Sequence, residues 1–436
     1  SGFCIGTCAL SLTIDPDTAP ADAARAPHCE RVTSTVTVAP ATPNQVAQDL
    51  LRNLTTVDAA FFAENRTTDL SLPRLTTVGG TLSLQYISAP VTISFPGLTS
   101  VQTVNAVYCQ ETAAGSLIEF PALATVSSSF NVYSNYGSLT IQAQALTSAQ
   151  YMRFSWGSAP LTLEFPELLT MGTFDTESRT GDLTFVAPKL TTINGDLKLA
   201  GYSNVTINVP SLETITGKLS LQTSSSGTQT LTATALNSVA EIYITNISVP
   251  FTLSLPSLTT ITNRLYATLS AQTALNLPNL HKVTNLLTVS SLQDVDIPTL
   301  QSAGGMVITS VTDLTDLSLS TLTTLTGDLT VQSNPQLATM NLDALAQVGG
   351  SITIKDNPNL CFGYQDLIAA IQPWSGNWTI SGNDTTCDCS GTEVDWQTDT
   401  AHCGGCNNVC TAICTGGYCA VPELAFSAQP RHAVAD

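Results

Sequence analysis

The feature that most limits what this chain can fold into is a phrase, Pro-x-Leu-Thr-Thr-Val/Ile, that recurs through most of its 436 residues. Instances are LPRLTTVGG from Leu72, FPGLTSVQT from Phe95, FPALATVSS from Phe120 and FPELLTMGT from Phe165, followed by APKLTTING, VPSLETITG, LPSLTTITN and LPNLHKVTN. Thirteen leucines hold the register, from Leu75, Leu98 and Leu123 to Leu300, Leu322 and Leu345, at intervals of 20 to 25 residues. That period is too short for a helical-hairpin repeat and fits one coil of a solenoid, whose apolar side is buried only by stacking on its neighbours. Within each period, runs such as TLSLQ, VTISF, LTLEF, KLSLQ and SITIK alternate apolar residues with Thr or Ser, the signature of half-buried strands. The proline, which cannot donate a ladder hydrogen bond, belongs at a corner or strand entrance. Gly80, Gly195, Gly217, Gly327 and Gly350 are expected at the next corner, where positive φ suits glycine.

The expected fold is therefore all-β, a right-handed parallel β-solenoid of about 13 coils with short capping helices and a small disulfide-rich C-terminal module. Residues 1–41 read as an N-terminal extended segment with two β-like runs, CALSLTID and RVTSTVTVA, and 42–71 as a cap. In that cap Thr42 and Pro43 start a helix whose apolar face carries Val46, Leu50, Leu51 and Leu54. The solenoid spans 72–387 and closes with a short helix around Leu367, Ile368 and Ile371, with Trp374 and Trp378 packing on it. A cysteine-rich module at 388–420 and a tail at 421–436 follow.

Only 11% of residues are charged, and 14 basic against 33 acidic residues leave a net charge of −19. Nucleic-acid binding needs clustered Lys and Arg, which are scattered here, so no nucleic acid is expected as a partner. The ample apolar fraction argues against disorder. No run of eighteen apolar residues exists, so no membrane span is expected. The beginning, SGFCIGTCAL, has no basic or long apolar stretch, the expectation for a secreted chain whose signal peptide has been removed. Twelve cysteines, eight of them between Cys361 and Cys419, and six Asn-x-Ser/Thr sequons, at Asn53, Asn65, Asn204, Asn246, Asn377 and Asn383, agree with an extracellular glycoprotein of the cell surface or cell wall.

The FPxLTxVxG units, the segment GSITIKDNPNLCFGYQDL and the Cys361 to Cys387 bracket resemble the receptor L-domain family, the leucine-rich β-solenoids of insulin-receptor and epidermal-growth-factor-receptor ectodomains, and similar fungal cell-wall proteins. The resemblance covers about 72–387 and implies a disulfide between Cys361 and Cys387. Receptor L-domains are short and interrupted by cysteine-rich modules, whereas this repeat runs on without a break. HCGGCNNVC followed by CTGGYC resembles the cysteine-rich module of plant stigma-specific Stig1-type proteins. With Cys361 and Cys387 paired as the family implies, Cys389, Cys403, Cys406, Cys410, Cys414 and Cys419 remain. Three bridges would staple a segment with almost no apolar core. Zinc is the rival reading, since Cys403-x-x-Cys406 and Cys410-x3-Cys414 have ligand-like spacing. Cys4, Cys8, Cys29 and Cys109 permit three pairings, with Cys109 a tether for the N-terminal segment.

Catalysis needs convergent titratable groups. His28, His281, His402 and His432 are far apart in sequence, and no nucleophile, metalloprotease or phosphate-loop motif appears. Asp294 and Asp316 each precede an anchoring leucine by the same offset, with Asp296 and Asp313 nearby. On successive coils they would stand about 4.8 Å apart, a weak Ca²⁺ candidate or a carboxylate pair for polysaccharide chemistry. No cofactor is expected. Thr76, Thr99, Thr191, Thr259 and Thr323 form a Thr row, but consecutive Thr residues face apart, unlike the Thr-x-Thr of an ice-binding surface. The leading expectation is a non-enzymatic structural glycoprotein, a wall, coat or surface-filament subunit that self-associates through its tails and solenoid ends. The alternative is a ligand-binding or adhesion ectodomain using a solenoid face for cell-wall glycans or surface proteins, which an exposed aromatic patch would favour.

Overall fold

The computed structural model describes residues 6–14, 24–40, 42–88, 90–107, 115–201, 204–222, 229–245, 251–268, 273–360, 371, 374, 376–384, 413–415 and 418–420. The chain is mostly β with one helix, and it forms a parallel β-solenoid of about 15 turns divided between two compact units, Ser1–Leu236 and Asn237–Asp436.

Each repeat phrase makes the same local structure. In FPGL the amide of Leu98 donates to the carbonyl of Phe95 at 3.2 Å, a four-residue turn with Pro96 in its second position. There proline's fixed φ is already that of the turn and its missing N–H is not needed. The leucine that closes the turn is buried in every coil. The following strand then pairs in parallel with its equivalent one coil away, as Ser100–Val107 does with Thr77–Gln85 on one side and Thr125–Asn135 on the other.

Threonine adds a second link between coils. The amide and hydroxyl of Thr99 both donate to the carbonyl of Thr76, at 2.9 and 3.1 Å. Thr76 does the same to Thr55, and hydroxyls of Thr147 and Thr191 reach Ala124 and Leu169. In the second unit Thr259 and Thr323 bond Asn237 and Gln301. Each of those hydroxyls gives its donor to the backbone of the preceding coil.

In the first unit the Phe of the FP phrase fills the core. Phe95 stacks on Phe120 at 5.9 Å, and edge contacts continue through Phe130, Phe165, Phe185 and Phe174. A second sheet of eight short parallel strands, from Leu70–Ser71 to Gln229–Thr232, closes the other side of this core. In the second unit Leu255, Leu277, Leu319 and Leu342 take the phenylalanine position.

The solenoid register begins well before Leu75. Gly6–Cys8, Cys29–Val32 and Thr56–Val57 pair in parallel up to Thr77–Gln85, as do Leu12–Ile14, Val36–Val38 and Phe61–Glu64. Residues expected to be an extended segment and a cap thus supply coils, which is why the turns exceed thirteen. Leu54, expected on a helix face, is the anchor of Leu54-Thr55-Thr56-Val57, an earlier copy of the repeat whose turn, Leu51 to Leu54, has Arg52 in place of proline and follows a helix, α1 (Asn44–Leu50). The side of α1 that is buried carries Ala47, continued by Leu51, while Val46 and Leu50 are only half-buried. The expected second helix around Leu367 and Ile368 lies outside the described residues; Trp374 does pack edge-on against Trp378 at 4.8 Å and donates to the Gly350 carbonyl.

The glycines serve a different purpose from the one expected. Positive φ at glycine occurs, among the described residues, at Gly201 and Gly382, and not at Gly80, Gly195, Gly217, Gly327 or Gly350. A Cβ at Gly217 would lie 2.6 Å from the Gly195 carbonyl carbon, and one at Gly350 2.7 Å from that of Gly327, so these glycines let neighbouring coils touch. The left-handed corner falls instead at the strand end, on Asn65, Ser134, Ser291, Ser310, Ser333 and Asp356 among others. The residue after the corner points inward. At the first such corner it is Arg66, fully buried, whose guanidinium donates to the carbonyls of Ala39, Thr42, Thr68 and Asp69. Burial pushes its pKa down.

In the second unit this inward position makes an asparagine ladder. Asn357 Oδ1 accepts from the amide and Nδ2 of Asn334, at 3.0 and 3.1 Å, and Asn383 Oδ1 accepts in the same way from Asn357. Each Nδ2 also donates to a carbonyl of the preceding coil. Asn357→Ala would leave buried donors and a carbonyl unsatisfied, with an expected loss of about 3 kcal/mol in urea unfolding, whereas Asn383→Ala at the half-buried end should lose about 1 kcal/mol.

Candidate functional site

Long strands of the first unit turn alternate side chains outward, and the parallel register stacks them into rows about 4.8 Å apart. One row reads Asn105, Asn131, Arg153, Asp175, Lys198. Thr103, Ser129, Tyr151 and Thr173 run along one side of it, and Val107, Tyr133, Ser155 and Glu177 along the other. Asp175, 13% exposed, is the hub. It accepts from the Tyr151 hydroxyl at 3.0 Å and faces Arg153 Nε at 3.8 Å and Lys198 Nζ at 3.5 Å. Arg153 Nη2 donates to Glu177. Asn131 Nδ2 donates to Asn105 and Ser129, both at 2.8 Å, and leaves its own Oδ1 buried without a hydrogen-bond partner.

Burial is the main reason the Tyr151 phenol is pushed up to about 12; its hydrogen bond to Asp175 and that carboxylate's charge add to the shift, and Arg153 opposes it. Burial raises Tyr133 as well. The Arg153 guanidinium is raised chiefly by its bond to Glu177.

Aromatic side chains stand along the edge of this array. Trp156 is 56% exposed, Tyr136 44% and Tyr86 39%. Trp156 and Tyr86 occupy the left-handed corner, with φ of 48° and 55°, where Ser134 sits in the same unit and Ser291, Ser310 and Ser333 in the second. Any residue with a Cβ costs about 1–2 kcal/mol there, and the exposure of these aromatics gains nothing for the core. A separate cavity of about 220 Å³ beside α1 is lined by Leu51, Leu54, Leu72 and Leu75 with Arg52 and Arg74.

Asp294 and Asp316, expected at one position of successive coils, are not partners in a strand ladder. Asp294–Asp296 lies in a three-stranded sheet and Asp316–Ser318 in a separate two-stranded one. The coil-to-coil step is 20 residues where Thr312 bonds Leu292 and 22 where Thr323 bonds Gln301, so two extra residues break the ladder between them. Asp294 accepts from the adjacent Val295 amide, Asp316 from Thr339, and Asp313 from Gln293. Among the described residues no three His, Cys, Asp or Glu come together as metal ligands. His281 is a half-buried wall residue in the threonine position.

Of the cysteines, Cys8 and Cys29 form a disulfide between the first two coils. Cys4, Cys109, Cys361, Cys387, Cys389, Cys403, Cys406 and Cys410 lie outside the described residues. Cys414 and Cys419 are register partners on the antiparallel strands Ile413–Thr415 and Tyr418–Ala420. Among the sequons, Asn65, Asn204 and Asn377 are exposed, Asn53 Nδ2 donates to the Pro27 carbonyl, Asn383 Nδ2 to Ile354, and Asn246 is outside the described residues.

Composition and motifs did not single out the Tyr151–Arg153–Asp175 cluster. The signal was in the repeat register, since Arg153 and Asp175 stand at the same offset from their anchoring leucines, Leu146 and Leu168.

Comparison with protein-family models, curated proteins and solved structures finds no match. The parallel β-solenoid itself therefore stands, without a family to identify it as a receptor L-domain or a stigma-specific module.

A phenol pKa raised on folding stabilises the protein in full below its unfolded value of 10.0, and that contribution is lost as pH rises from there to about 12. Tyr151→Phe should therefore flatten the decline of melting temperature over that range. Asp175→Asn should bring the Tyr151 ionisation down toward its ordinary value, as read by ultraviolet difference titration.

Proposed function

We propose that this chain is a non-enzymatic extracellular glycoprotein of the cell surface or wall that recognises a ligand through the long-strand face of its first unit. The observation that carries this reading is the pair of exposed aromatics, Trp156 and Tyr86, held at left-handed corners where the equivalent coils carry mostly serine. They border a floor of polar side chains fixed by mutual hydrogen bonds, a prearranged surface that loses little freedom on binding.

A second reading, a wall, coat or filament subunit, is favoured by the strand edges at the ends. Among the described residues, Leu12–Ile14 pairs only with Val36–Val38, and Trp378–Ser381 only with Ile352–Lys355. Such edges can accept a strand from another copy.

The two readings separate in one experiment. The full chain is passed over insoluble wall polysaccharides and immobilised cell-surface proteins, alongside a Tyr86→Ser/Trp156→Ser double variant, with light-scattering mass measured on both. Recognition predicts retention that falls at least tenfold in the variant while both remain single chains. Equal retention of the two proteins would contradict it, and filaments that form equally in both would favour the structural reading.

A further inference from the structure

We infer that the face bearing Tyr151 and Arg153 binds a neutral, linear glycan lying across successive coils, with Trp156 and Tyr86 as stacking platforms. This rests on the recognition reading above and names its ligand class. The first ground is charge. The site holds two cations, Arg153 and Lys198, and two carboxylates, Asp175 and Glu177, already engaged with one another. On a chain of net charge −19, such a self-cancelled patch has nothing to attract a polyanion and no free carboxylate row for a polycation. What it offers is neutral polarity, which suits hydroxyl groups.

The second ground is the unsatisfied acceptor. Asn131 is 7% exposed, both its donor bonds go to Asn105 and Ser129, and its Oδ1 has no hydrogen-bond partner. Arg153 Nε and Asp175 Oδ1 in the same cluster are likewise without hydrogen-bond partners, so the floor has both donor and acceptor capacity left over, which a hydroxyl group can meet from outside.

The third ground is shape. Tyr86 and Trp156 sit on equivalent corners three coil steps apart, about 14 Å at the interstrand spacing. Pyranose rings have apolar faces that stack on tryptophan and tyrosine, and a short run of linked sugars is long enough to reach from one to the other. A folded protein partner would call for a contiguous apolar centre. Here the exposed aromatics stand at the edge and the floor is hydrogen-bonded.

The test is isothermal titration calorimetry of the full chain with soluble chitohexaose, laminarihexaose and mannohexaose, together with the Trp156→Ser, Tyr86→Ser and Leu286→Ala variants. Binding of at least one hexasaccharide is expected, weakened at least tenfold by Trp156→Ser, measurably by Tyr86→Ser, and not by Leu286→Ala, an exposed residue in the second unit. Serine occupies the equivalent corner at Ser134, Ser291, Ser310 and Ser333, so the melting temperature of Trp156→Ser should hold, which excludes misfolding as the cause of lost binding. Absence of binding to all three sugars, or binding indifferent to Trp156→Ser, overturns the glycan assignment. If retention on immobilised proteins still depends on the aromatic pair, the ligand is a protein and recognition stands. If nothing depends on that pair, both fall.

Discussion

Everything in this molecule depends on the hydrogen bonds that each coil makes to the coil before it. No coil has enough apolar surface to close a core by itself, so its leucines and phenylalanines are buried only if the next coil stacks in register. The backbone ladder sets that register, and side chains reinforce it. Threonine hydroxyls double the bond at the Pro-x-Leu-Thr corner, and asparagine amides do so at the strand end of the second unit. Glycines appear where two coils must touch. The unusual composition follows from this design, because a chain that satisfies itself through Thr, Ser and Asn has little use for charge.

The same register creates the candidate site. Arg153, Asp175 and Lys198 are separated by whole periods in sequence, yet parallel pairing sets them side by side in one row, with Tyr151 in the row alongside. Charged residues are rare elsewhere on this chain, so their convergence here, with each charge answered by an opposite one, produces a rigid and nearly neutral floor. Aromatic residues at left-handed corners work against local preference, and departures of that kind concentrate at functional surfaces. The binding proposal rests on this conflict between what the corner favours and what it carries.

Much of the architecture was legible in the sequence because the repeat is a physical statement. Proline at the second turn position, leucine at its close and alternating Thr and apolar residues each specify one part of the coil. What misled was local deviation. Leu54-Thr55-Thr56-Val57 is preceded by Arg52 where other copies carry proline, so nothing in the local sequence separates its coil from the helical pattern before it. Glycines suggested positive φ, whereas packing between coils was the reason for them. Asp294 and Asp316 share an offset to the anchoring leucine, but two inserted residues break their ladder, a detail visible only once neighbouring coils are aligned residue by residue. Arg66, a lone arginine in the sequence, is buried as a cap for four carbonyls, which no composition or motif announces.

The register can be tested directly by disulfide trapping on the short-strand sheet of the first unit. Thr140 and Thr162 are partners on adjacent strands, at a separation that a disulfide spans, while Thr184 is one strand further on. In the full chain, Thr140→Cys combined with Thr162→Cys should cross-link under mild oxidation, as mapped by peptide mass spectrometry, and Thr140→Cys combined with Thr184→Cys should not. Cross-linking of the second pair in place of the first would contradict the stacking on which the core, the polar ladders and the proposed binding face all depend.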